Sequence, residues 1–144
     1  MISSLRSQFV PSLSLRNSLK RAFSDFGGPK SEAEAFELIK KTVEENPLVV
    51  FMKGTADRPQ CGFSRTVVQI LQQCPNLHRF ATVNVLSNKE IRSAIKKYSN
   101  WPTIPQLFVK GEFVGGCDIV YEMYRNGSLQ ELFEKEKLLE ESQE

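Results

Sequence analysis

Residues 48–71 read LVVFMKGTADRPQCGFSRTVVQIL, and the rest of the chain is read outward from them. Leu48 to Lys53, an apolar run closed by a lysine, has the pattern of a strand. Gly54 to Gln60 follow as a loop, with Thr55, Asp57 and Pro59 as turn formers. The period then changes, and Val67, Val68, Ile70 and Leu71 fall on the buried side of a helix. Cys61 stands at the junction, just before the first helical turn. Orphan backbone N–H groups and the positive end of the helix dipole favour thiolate over thiol there. The residue is placed to act as a nucleophile or as a metal ligand.

Upstream of this stretch, Ser31 and Glu34 have capping-box spacing, and Ala35, Leu38, Ile39, Thr42 and Val43 form a helical apolar stripe that Asn46 and Pro47 stop. Downstream, the Cys61 helix ends at Cys74 and Pro75. A second strand is expected over residues 80–85 and a helix from about Lys89 to Tyr98, with Ile91, Ile95 and Tyr98 inward. Short strands joined through helices imply parallel pairing. The pattern then changes: Gln106 to Val109 and Glu112 to Gly115 flank Lys110 and Gly111, which reads as a tight antiparallel hairpin on a type I′ turn. A helix from Asp118 to about Arg125, stopped by Asn126 and Gly127, precedes a last acidic helix from Ser128 carrying Leu129, Leu132, Phe133 and Leu138. These elements describe a thioredoxin-like α/β domain, a four-stranded mixed sheet flanked by helices.

With 144 residues, 40% hydrophobic and 25% charged, the chain suffices for one globular domain. Its longest apolar run falls far short of the roughly 18 residues that suggest a membrane span. Three cysteines, at 61, 74 and 117, cannot all pair and lack zinc-type spacing, so a secreted disulfide framework is not expected. Residues 1–24 hold no acidic side chain, whereas Arg6, Arg16, Lys20 and Arg21 are basic, seven serines are present, and Leu5, Phe9 and Leu13 recur every four positions. This is the composition of a mitochondrial or plastid transit peptide. Removing its four positive charges takes the formal net charge from +2 to −2, so the mild basicity is an address and not a nucleic-acid footprint. The expected organisation is a transit peptide over 1–23, a linker over 24–32, a folded domain over 33–135 and an acidic tail over 136–144.

Four motifs in order carry a resemblance: Lys53-Gly54-Thr55, Cys61-Gly62-Phe63-Ser64, Trp101-Pro102-Thr103-Ile104-Pro105 and Gly115-Gly116-Cys117-Asp118. Together they resemble the monothiol (CGFS-type) glutaredoxins, and a transit peptide ahead of one such domain is similar to the mitochondrial glutaredoxin-5-like branch. The match spans about Ala33 to Phe133. Ala56 departs from the family's pattern, which has a proline after the Lys-Gly-Thr. A dithiol redox protein needs a second thiol three residues after the first to expel a mixed disulfide, and Ser64 occupies that position. Cys61 could still exchange with glutathione, leaving regeneration to an outside thiol. One thiolate is also too few for an iron–sulfur cluster, which takes four ligands.

The resemblance implies how that deficit is met. Two subunits each give Cys61, and two bound glutathiones give their thiols, around one [2Fe–2S] cluster. It also implies the glutathione-binding residues: Lys53 and Arg92 for carboxylates, Thr103, Ile104 and a cis Pro105 for the peptide backbone, Gly116 and Cys117 at a helix start, and Asp118 for the ammonium group. Phe63 is exposed by its position and covers the cluster, meets a partner, or simply packs. The implied partners are a second copy of the chain, recipient iron–sulfur apoproteins, the cluster-assembly machinery and a BolA-like protein, in the mitochondrial matrix. An enzymatic reading stands beside this one: glutathione-dependent reduction of protein–glutathione mixed disulfides through Cys61. Cys74, at the far end of the Cys61 helix, is too distant to resolve Cys61. Cys117 reads either as a small helix-start residue or as a disulfide partner of Cys61. The single histidine, His78, reads as surface, and Trp101 as packing on the outer wall of the glutathione site.

Overall fold

The computed structural model describes residues 28–140; the expected transit peptide and the first part of the linker lie outside them. The chain runs α1 (Glu32–Glu45), β1 (Leu48–Met52), α2 (Gly62–Gln73), β2 (Ala81–Asn84), a 3-10 turn (Val85–Ser87), α3 (Lys89–Ser99), β3 (Gln106–Val109), β4 (Glu112–Gly115), α4 (Cys117–Asn126) and α5 (Ser128–Lys135). One four-stranded sheet has the order β2-β1-β3-β4. β1 pairs in parallel with β2, and β3 runs antiparallel to both β1 and β4. The hairpin turn carries Lys110 at φ 52° and Gly111 at φ 85°, the two positive dihedrals a type I′ turn requires.

β1 is buried along its whole length because it is central and covered on both faces. Leu48, Val50 and Met52 face α2, α4 and α5 through Val67, Leu71, Val120, Leu129 and Phe133. Val49 and Phe51 face α1 and α3 through Ile39, Val43, Ile91 and Ile95. Each such side chain contributes on the order of 1.5–3 kcal/mol through its removal from water. This two-sided burial holds the end of β1, and with it the site, in place.

Element ends differ from the sequence pattern where a side chain captures the backbone. The strand expected to reach Lys53 stops at Met52, because the Lys53 N–H donates to Ser64 Oγ at 3.0 Å. β2 stops at Asn84, whose Oδ1 accepts from Leu86 N–H at 3.0 Å and turns the chain out of the ladder. α1 is capped by Ser31, whose hydroxyl accepts from Glu34 N–H, while the Glu34 carboxylate reaches Lys30 N–H at 2.8 Å. The described part of the linker is tied down through Pro29, whose carbonyl accepts from Asn88 Nδ2 at 3.1 Å.

The carboxyl end departs furthest from expectation. α5 ends at Lys135, and Leu138 N–H donates to Phe133 C=O at 2.8 Å around Lys137 at φ 59°, a Schellman-like closure. Leu138 then enters the core, and Leu139 bridges Leu77 while Glu140 N–H donates to Asn76 C=O at 2.7 Å. Residues 136–140 thus pack as part of the domain instead of forming a tail. The cause is the apolar pair Leu138 and Leu139 inside an acidic stretch.

Candidate functional site

Cys61 is the N-cap of α2, with extended backbone, and its sulfur accepts from Ser64 N–H at 3.4 Å. The Ser64 hydroxyl lies 3.4 Å from the same sulfur and is fully buried. Since Ser64 Oγ also accepts the Lys53 N–H, one hydroxyl joins the end of β1 to the sulfur. Partial burial opposes ionisation of Cys61, but the Ser64 hydroxyl, the Ser64 and Phe63 N–H groups and the Lys53 charge outweigh it. Its pKa is held below the ordinary thiol value. Cys61 remains partly accessible, and Phe63 beside it is 64% exposed.

The loop leading to Cys61 is closed by its own backbone. Thr55 and Arg58 exchange N–H···O=C bonds at 3.1 and 3.2 Å, Thr55 Oγ1 accepts from Arg58 N–H, and Gln60 N–H donates to Lys53 C=O at 2.8 Å. Asn84 Oδ1 accepts from Gly54 N–H at 2.9 Å and so ties this loop to the end of β2. Gly54 sits at φ 92°, where a Cβ would collide with Arg58 O and approach Gln60 N to 2.7 Å. Ala56, the departure from the family pattern, packs partly buried against the core.

A second cluster forms where the turn before β3 meets the start of α4. The Ile104–Pro105 peptide bond is cis. A Cβ on Gly116 would lie 3.0 Å from Trp101 Nε1, 3.3 Å from Pro105 O and 3.9 Å from Thr103 Oγ1, so glycine lets these two segments meet. Gly116 caps α4 without a side-chain hydrogen bond, whereas α1, α2 and α3 are capped by Ser31, Cys61 and Asn88. The first-turn N–H groups of α4 therefore have no side-chain acceptor, an arrangement suited to a carboxylate. Burial pushes the Cys117 thiol up, and the charges of Asp118 and Cys61 add to the effect. Both are free thiols, and Asp118 is exposed beside them.

Lys53, Cys61 and Ser64 are thus brought together, as are Thr103, Pro105 and Gly116. Arg92 is exposed on the second turn of α3, which follows β2 as α2 follows β1, so it belongs to the same end of the sheet. Cys74 caps the opposite end of α2, 7% exposed, with its thiol donating to Ile70 C=O at 3.3 Å and its pKa raised by burial. Trp101 packs against Phe113 in a tilted arrangement, with ring centroids 5.5 Å apart. Two residues that the sequence reading did not single out prove structural here, Asn84 as the loop's anchor and Gln106 beneath the Trp101 turn, while Ser64, read there as the missing second thiol, is also a bridge. Each is polar at a position where the apolar pattern is otherwise unbroken or ends.

Comparison with known proteins agrees with this geometry. The glutaredoxin family profile matches residues 48–114. Glutaredoxin 4 of Escherichia coli is 52% identical over 99 residues, covering 69% of this chain and 84% of that protein. The chloroplastic monothiol glutaredoxin-S7 of Oryza sativa is 48% identical over 118 residues, covering 82% and 69%. Among solved structures, reduced apo GrxS14 of poplar superimposes with a TM-score of 0.62 at 51% identity, covering 70% of this chain and 91% of that one. A buckwheat glutaredoxin solved with glutathione gives 0.66 at 27% identity, covering 76% and 96%. A single activated cysteine, a buried serine in place of the second thiol, and relatives of this kind lead to one conclusion: the chain belongs to the monothiol glutaredoxins.

Proposed function

We propose that the protein binds glutathione beside Cys61, holds a glutathione-ligated [2Fe–2S] cluster as a homodimer, and passes it to recipient apoproteins in the mitochondrial matrix. The observation that carries this reading is Ser64: the position three residues after Cys61 is occupied by a buried hydroxyl bonded to the sulfur. That hydroxyl can stabilise a thiolate but cannot expel a mixed disulfide.

The residues fit glutathione. The open first turn of α4 suits one carboxylate, Lys53 stands at the end of β1 for the other, and Asp118 suits the ammonium group. They also fit a shared cargo. Among the described residues no group of three or more His, Cys, Asp or Glu side chains could hold a metal ion, so one subunit does not by itself supply a four-ligand set. A [2Fe–2S] cluster takes four ligands, which two Cys61 thiolates and two glutathione thiols supply. Exposed Phe63 is then placed to cover the cargo or meet the partner. The composition of residues 1–23 supports delivery to mitochondria. Cluster-assembly proteins and a BolA-like protein complete the proposed set of partners.

The lowered Cys61 pKa favours a second reading, glutathione-dependent thiol–disulfide exchange. The Cys61 thiolate attacks the glutathione sulfur of a protein–glutathione disulfide, the protein thiolate leaves, and a second glutathione releases glutathione disulfide and restores the Cys61 thiolate. Anaerobic reconstitution with iron, sulfide and glutathione separates the two. The carrier reading expects visible charge-transfer bands in the wild type that depend on glutathione. A protein that stays colourless while rapidly turning over a glutathionylated substrate contradicts it.

A further inference from the structure

Gln106 opens β3 opposite Phe51 and is fully buried, an unusual placement for a primary amide. Its alternation partner Phe108 belongs to the core face shared with α1 and α3. The amide reaches back beneath the turn that joins α3 to β3. Nε2 donates to Trp101 C=O at 3.0 Å and to Thr103 C=O at 3.1 Å, which uses both of its hydrogens. The acceptor Oε1 has no partner within the protein, so the amide's orientation is set by the two donated bonds. Rotating the amide by half a turn would set Oε1 against two carbonyl oxygens.

These two carbonyls belong to the segment that meets Gly116. Trp101 Nε1 and Pro105 O are the atoms a Gly116 Cβ would approach most closely, and Thr103 Oγ1 comes next. The Trp101 ring also joins a relay of rings: Trp101 to Phe113, Phe113 to Phe108 and Phe108 to Tyr98, with centroids 5.5, 5.5 and 6.0 Å apart. Packing thus holds the ring while the amide holds the backbone between Trp101 and Thr103. Without Gln106, those two carbonyls would lose their shared donor beneath the turn, and the backbone between them would no longer be tied to β3.

We infer that Gln106 is a positioning residue for glutathione: it sets the backbone of residues 101–105 against Gly116 without touching the ligand. The inference rests on the glutathione reading of the site. Gln106→Met keeps the volume and removes both donors; Gln106→Glu keeps the shape and presents oxygens to the two carbonyls. The probe is S-methylglutathione, which has the same carboxylates, ammonium and amides but no free thiol to exchange with Cys61.

Calorimetric titration of wild type and both variants is expected to show binding about tenfold or more weaker in the variants, since two hydrogen bonds that shape the turn are lost. The pH titration of Cys61 thiolate absorbance is expected to stay at the wild-type midpoint, because Ser64 and Lys53 lie on other elements. Wild-type affinity in either folded variant overturns the inference and leaves the glutathione reading intact. So does a parallel loss of affinity and of the Cys61 titration, which marks a general structural role. If Gln106→Glu does not fold, Gln106→Met decides alone. A wild type that fails to bind S-methylglutathione removes the glutathione reading and this inference together.

Discussion

Replacing Ser64 with alanine removes one oxygen and two relations at once. The Lys53 N–H loses the acceptor it now has at 3.0 Å, and the Cys61 sulfur loses its hydroxyl partner at 3.4 Å. Ser64 is fully buried beside Val67 and Val68, so no bulk water takes its place. A partly buried N–H left without an acceptor costs about 1–3 kcal/mol, and the methyl side chain returns little of it. A loss of about 1–2 kcal/mol lowers Tm by roughly 4–8 °C per kcal/mol in a domain of this size. The second effect is on ionisation. The hydroxyl is the largest of the influences lowering the Cys61 pKa, so the thiolate midpoint must rise in the variant. In the wild type the folded-state pKa lies below the unfolded thiol's. The associated stability is fully present above the unfolded pKa and is lost as pH falls through the folded one. Ser64→Ala narrows that window from its acid side. Thiolate absorbance against pH and urea melts at two pH values measure both effects. An unchanged midpoint in a folded Ser64→Ala protein would refute the bridging role of the hydroxyl.

Other outcomes follow from the same geometry. Limited alkylation near neutral pH, read by peptide mass spectrometry, should label Cys61 first and Cys117 and Cys74 much later, since the pKa of the first is lowered and those of the others raised. Gly116→Ala puts a methyl 3.0 Å from Trp101 Nε1 and 3.3 Å from Pro105 O. It should cut S-methylglutathione affinity by about tenfold or more, a loss of about 1.4 kcal/mol or more, in a protein that still melts cooperatively. Leu138→Ala should cost about 2–4 kcal/mol in urea unfolding, because its side chain is in the core; a cost below ~0.5 kcal/mol would return residues 136–140 to a solvated tail.

The fold was legible where periodicity is strong. The run Leu48 to Met52, the stripe on α2 and the Lys110-Gly111 turn each specify their element locally, and the hairpin boundaries coincide with those read from residues alone. Element ends were less legible, because they are set by side chains from elsewhere in the chain: Ser64 ends β1 across eleven residues, and Asn84 Oδ1 serves Gly54 across thirty. Leu138 was read as the end of a helix stripe inside an acidic tail, and only the Lys137 turn shows how it reaches the core. At the site, the motifs gave Cys61, the Thr103 to Pro105 segment and Gly116. What they could not give is that Ser64 is a bridge as well as a missing thiol. Nor could they show that Gln106 is fully buried with its amide turned toward the Trp101 and Thr103 carbonyls.

The central claim is that Cys61 contributes one quarter of a ligand set shared between two chains. Native mass spectrometry of the anaerobically reconstituted protein tests it directly. The expected species holds two chains, two iron atoms, two sulfides and two glutathiones, and Cys61→Ser abolishes it. A monomer that retains iron, or a dimer whose iron survives the loss of Cys61 or of glutathione, would contradict the account.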